Sequence, residues 1–178
     1  MILWEIARAT GLIAVVVYTL TAAWGILLAG RGIQQPKGAL ELHRSLQSIG
    51  LIAIVAHVVA LLLDSHANVA WTDVLGIDTR PGIVLGAVAL WLAIALPITF
   101  MARQRKRISF RSWRYVHYLA YAFWGAAVAH GLWLGTDTRN PLVLAGYGAA
   151  IALVVGATAW RLSGGAPARS TRRPAGTA

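Results

Sequence analysis

Residues 39–64 read ALELHRSLQSIGLIAIVAHVVALLLD, and residues 111–138 read RSWRYVHYLAYAFWGAAVAHGLWLGTDT. Each is an apolar stretch long enough to cross a hydrocarbon core of about 30 Å as a helix. Each also carries one histidine toward either end: His43 and His57 in the first, His117 and His130 in the second. The separations are fourteen and thirteen residues, and a rise of about 1.5 Å per residue puts the members of each pair roughly 20 Å apart along a helix. Two helices therefore offer imidazole at two matching depths of one bilayer. Imidazole is costly to bury in hydrocarbon without a partner, and a single such residue reads as an interhelical hydrogen-bonding group. Four at two depths fit two metal centres stacked across the membrane, and two bis-histidine haems are the natural candidates.

The rest of the chain agrees with a membrane setting. Of its 178 residues 58% are hydrophobic and 12% charged, against about a quarter charged in ordinary soluble domains. Five apolar stretches, Trp4 to Ala29, Leu42 to Leu63, Gly82 to Ala102, Trp113 to Leu134 and Pro141 to Leu162, are each long enough to span. The expected fold is an all-α integral membrane protein, a bundle of five transmembrane helices over residues 1–162. The second and fourth would be the haem-binding helices. A basic tail over residues 163–178, rich in Gly, Ala, Pro and Arg, is expected to be disordered. The first stretch reads as a retained span, because its apolar run exceeds a signal-peptide core and its leading end carries Glu5 and Arg8 instead of a basic cluster. Asn140-Pro141 reads as a helix start, and Pro97 inside the third stretch is expected to kink it.

The net charge of +10 invites a nucleic-acid reading, but the basic residues flank apolar segments, so no nucleic-acid partner is expected. Thirteen of the 16 Lys and Arg fall in the first loop, the third loop and the tail; only Arg8, Arg80 and Arg139 fall on the other side. The positive-inside rule then puts the N-terminus outside and the C-terminus in the cytoplasm, in a multi-pass protein of the cytoplasmic (inner) membrane. His43 and His117 lie at the inner depth and His57 and His130 at the outer. Trp4, Trp71, Trp113, Trp133 and Trp160 fall near predicted interfaces and read as membrane anchors. Cysteine is absent, which excludes disulfides, thiolate metal sites and covalent haem attachment, so any haem is held by coordination and packing.

Helical phase supports one histidine pair and strains the other. Fourteen residues are almost four turns, so His43 and His57 share a face to within about 40°, with Gly50 midway on the same stripe; thirteen residues leave His117 and His130 about 140° apart on a straight helix. The fourth helix therefore needs a local distortion, a tilt, or ligands met on different sides. Arg44 and Arg114 adjoin the inner histidines and are candidates to compensate haem propionates. His66 reads as a solvated loop residue. With both axial positions filled by imidazole, neither iron keeps an open site, which suits electron transfer. A haem-free transporter or proton relay using the same histidines is the alternative from another class.

These two stretches resemble the haem helices of the ferric reductase-like transmembrane family, which includes the membrane parts of ferric reductases and NADPH oxidases. The first matches in its His-Arg opening and a second His fourteen residues on; the second matches in its W-R-x-x-H opening and its thirteen-residue spacing. The resemblance implies two haem b groups, His43 and His117 holding the inner one and His57 and His130 the outer. It implies an oxidoreductase component that passes electrons across the membrane. No flavin or nicotinamide fingerprint is seen, and Gly146-Tyr147-Gly148 lies within an apolar span with no strand before it. The expected partners are therefore membrane lipid, a separate flavoprotein or quinol as donor, and an external acceptor. Quinol would suit a protein similar to the membrane subunit of the methionine sulfoxide reductase system.

Overall fold

The computed structural model describes residues 1–30, 36–77 and 80–164. The expected basic tail from 165 onward lies outside the described residues, as do Arg31 and Asp78. The described residues form α1 (Ile2–Leu28), α2 (Ala39–Leu63), a single-turn α3 (Trp71–Val74), α4 (Pro81–Gln104), α5 (Phe110–His117), α6 (Leu119–Leu134), a 3₁₀ turn (Thr136–Arg139) and α7 (Pro141–Leu162). No strand occurs among them. Of these helices α1, α2, α4 and α7 are long and apolar enough to cross a membrane.

The helix starts follow local chemistry. Asn140 accepts a hydrogen bond from the Leu142 N–H at 2.9 Å ahead of Pro141, as its sequence predicts. Ser109 caps α5 by accepting from the Ser112 N–H at 3.0 Å. At α3 the Asp73 carboxylate accepts from the Ala70 N–H at 2.8 Å and from Arg80 at 2.9 Å, tying the loop to the start of α4. Pro97 sits inside α4, which continues through it to Gln104.

The fourth apolar stretch differs from the single helix expected. It is two helices, α5 and the 16-residue α6, that meet at Tyr118. There the ladder tightens: the Tyr118 N–H reaches Tyr115 O at 3.2 Å and the Tyr121 N–H reaches Tyr118 O at 3.1 Å, both i to i−3 bonds. Such a turn advances about 120° per residue instead of 100°, so three residues of it add about 60° of rotation. The 140° mismatch between His117 and His130 falls accordingly to roughly 80°. The tightened turn supplies part of the rotation that the thirteen-residue spacing demands.

The helices pack as two close pairs, α1 with α2 and α4 with α6, joined through α1 against α6 and α7. The histidine-bearing helix α2 scarcely touches α5 or α6, which carry the other two histidines. The buried centre is built largely from alanine, with Ala14, Ala53, Ala89 and Ala93 around Tyr18, Leu96 and Phe123. Small residues let helix backbones approach where hydrophobic burial gives no drive in lipid. Tyr18 and Phe123 meet edge-to-face with centroids 4.6 Å apart, midway along the bundle. Two indoles in the spans are satisfied across helices: Trp124 donates to Thr19 Oγ1 at 3.0 Å and Trp24 to Ala39 O at 2.9 Å.

Candidate functional site

Four histidines on three helices, His43 and His57 of α2, His117 of α5 and His130 of α6, converge as two pairs. His43 faces His117 with ring centroids 6.5 Å apart, and His57 faces His130 at 6.3 Å. An imidazole nitrogen binds a metal ion at about 2.0–2.1 Å and the ring centre lies about 1.1 Å behind it, so two imidazoles opposed across one ion have centroids about 6.3 Å apart. Both observed separations match that span. Directly hydrogen-bonded rings would stand closer. Among the described residues no third His, Cys, Asp or Glu joins either pair, so each pair offers two imidazole nitrogens to whatever group it would hold. The donor set fits haem.

Glycines seat three of the four rings. A Cβ at Gly11 would stand 3.0 Å from His57 Nδ1, one at Gly25 3.0 Å from His43 Cε1, and one at Gly86 2.7 Å from His130 Cε1. Four residues before Gly11 and four before Gly86 is a backbone carbonyl directed at the same ring. His57 Nδ1 lies 2.7 Å from Ala7 O, and His130 Nδ1 lies 2.7 Å from Gly82 O. His43 Nδ1 completes no hydrogen bond. Donation from Nδ1 to a carbonyl leaves Nε2 as the free ligand nitrogen and orients the ring. A side chain at the glycine would block the approach. This arrangement escaped the sequence reading, yet a signal existed: Gly11 and Gly25 are fourteen residues apart, the spacing of His43 and His57 on the antiparallel neighbour.

His117 is held differently. It stacks on Trp113, one turn earlier, with centroids 4.8 Å apart and planes 25° apart. Trp113, read from sequence as a membrane anchor, is half-buried at the basic end and packs against Phe100 and Phe110. Arg44 lies over the Phe100 ring at 5.0 Å and Arg114 over Phe110 at 5.9 Å, both exposed beside the His43–His117 level. His66 lies in the loop after α2, where its N–H bonds Asp64 at 2.9 Å, away from both pairs.

At the far end a cavity of about 380 Å³ reaches from Tyr18 and Phe123 past His57 and His130 to a charged rim. The rim holds two ion pairs, Arg8 with Asp137 and Arg80 with Asp73. Arg8, hydrogen-bonded to Asp137, holds that carboxyl below the usual carboxylate range.

The fold and its paired imidazoles define a multi-pass, all-helical membrane protein whose sites suit a redox group. Residues 7–128, more than half of the chain, match the family described as ferric reductase like transmembrane component, and the chain belongs to that family. The match contains His43, His57 and His117 and ends two residues before His130. No curated protein and no solved structure matches the chain. Membership makes this a membrane electron-transfer component of a haem-binding family.

Proposed function

We propose that the chain is a di-haem b-type cytochrome of the cytoplasmic membrane that carries electrons between its two faces. His43 and His117 hold the inner haem; His57 and His130 hold the outer. Haem held by these pairs would supply one-electron redox chemistry, and two imidazole ligands for each group would leave no open site for substrate, which suits outer-sphere transfer. The observation that carries this reading is the pair of centroid separations, 6.5 and 6.3 Å, between α2 and the α5–α6 segment, which scarcely touch.

The basic end faces the cytoplasm by the positive-inside rule. It receives electrons from a flavoprotein or from membrane quinol, and the far end delivers them to an external acceptor such as ferric iron, oxygen or a partner protein. The α5–α6 segment, 25 residues with its tightened turn at Tyr118, serves as the fifth span. Arg44 and Arg114 add positive charge beside the inner haem's carboxylates. A haem-free proton relay is less favoured, because the layer between the two levels is Ala14, Ala53, Ala89 and Phe123 around Tyr18, whose hydroxyl is directed to Gln47 O, and a relay needs a chain of polar groups.

The reduced-minus-oxidised optical spectrum of detergent-purified protein, with haem quantified per chain, tests the reading. A low-spin b-type spectrum at close to two haems per chain is expected. Haem-free protein from haem-replete cells would overturn it.

A further inference from the structure

Among the described residues four buried side-chain nitrogens lack a hydrogen-bond partner: His43 Nδ1, His117 Nδ1, Trp113 Nε1 and Arg103 Nε. All four lie at the basic end. The far end shows the opposite condition, with both imidazole Nδ1 atoms on carbonyls and the rim arginines Arg8 and Arg80 on carboxylates. The unmatched set at the basic end has one chemical sense. Indole and guanidinium nitrogens are donors only, and an Nδ1 whose Nε2 binds metal is a donor too. What this end lacks is an acceptor, and for a guanidinium the best acceptor is an anion.

The donors sit together. Trp113 stacks on His117 at 4.8 Å and lies 5.6 Å from Phe110, and the Arg103 guanidinium covers the same Phe110 ring at 5.6 Å. Arg103 comes from the last turn of α4, whereas Trp113 is in α5, so the loop after α4 brings them to one level. The exposed Arg44 and Arg114 lie on aromatic faces and form the surrounding charge.

We propose that Trp113 Nε1 and Arg103 Nε are the direct donors to the carboxylates of the haem held by His43 and His117, a role resting on the di-haem reading above. Trp113 then does two things with one side chain: its ring face steadies His117 and its N–H binds the carboxylate edge. The same anionic-oxygen chemistry is offered by a lipid headgroup, so the test separates the two sources.

The full-length protein is loaded in detergent either with haem or with haem dimethyl ester, whose carboxylates are blocked, and release to excess apomyoglobin is followed. For the parent and for Trp113→Phe, Arg103→Gln and Arg103→Lys, two release phases are resolved. With haem, Trp113→Phe and Arg103→Gln accelerate one phase about tenfold or more, the effect of one lost hydrogen bond to a charged group, and leave the other phase unchanged. Arg103→Lys recovers part of the loss. With the dimethyl ester, variants and parent release alike. Unchanged release with haem, or the same acceleration with the ester, overturns the proposal and leaves the di-haem reading standing. The second result would assign the donors to a lipid headgroup or to packing. A parent chain that binds no haem overturns both.

Discussion

Gly86→Ala tests whether the glycine seats are part of the metal sites. A methyl at Gly86 would stand 2.7 Å from His130 Cε1 and 2.8 Å from Nδ1. Ordinary contact begins near 3.4 Å, so the ring must move by about 0.7 Å. Its Nδ1 is anchored on Gly82 O at 2.7 Å in the same helix that carries the new methyl, so the displacement falls on Nε2. Ligand groups need placement within about 0.5 Å to keep productive geometry. Overpacking of one methyl costs about 1–3 kcal/mol, a loss of roughly five- to 150-fold in haem retention at about 1.4 kcal/mol per decade. The variant is expected to hold close to one haem per chain instead of two, with the remaining haem low-spin. Gly148→Ala is the control, because nothing lies within 4 Å of a Cβ there and alanine favours the helix. Two low-spin haems in Gly86→Ala, released as slowly as in the parent, would refute the reasoning.

His57→Ala and His130→Ala are each expected to lose the far-end haem and keep the other, while His43→Ala and His117→Ala do the reverse; equal haem content in all four contradicts the pairing. Gly50→Ala places a methyl 2.6 Å from Tyr18 Cε2, where the ring is confined by Phe123 at 4.6 Å. It should destabilise the bundle by about 1–3 kcal/mol, read as a lower melting temperature in detergent, and an unchanged melt counts against the packing described. Asp137→Asn removes a carboxylate whose folded pKa is depressed by Arg8. A depressed folded value means the stabilisation is present above the unfolded value and disappears as pH falls through the folded one. Parent and variant should therefore differ in thermal stability at neutral pH, converge in acid, and differ less at high salt because the pair lies at the rim. A difference that persists in acid would assign the effect to something other than this charge pair.

Much of the site was legible in the chain because it rests on spacings along helices. Residue types at fourteen and thirteen positions, an apolar background and the placement of Lys and Arg were enough for an all-helical membrane protein with histidines at two depths. Asn140-Pro141 announced α7 through chemistry confined to neighbouring residues. The phase conflict between His117 and His130 was also visible, since it is arithmetic on a helix. How it is relieved was not. The i to i−3 bonds around Tyr118 form where His117 packs on Trp113 and faces His43 from another helix.

The tertiary structure alone decided what surrounds each imidazole. Gly11, Gly25 and Gly86 are three glycines among 18, and only helix pairing shows that their missing side chains admit histidines from α2 and α6. Trp113 illustrates the same limit. Its sequence position near a basic loop fits an interfacial anchor, yet packing turns it onto His117 with its N–H buried and unpartnered. Periodicity and composition report how a segment relates to lipid and to its own axis, because those are local, one-dimensional properties. Which face of one helix meets which face of another depends on side-chain shape summed over the whole bundle, so the seats, the donors at the basic end and the ion-paired rim at the far end emerge only when the helices are packed.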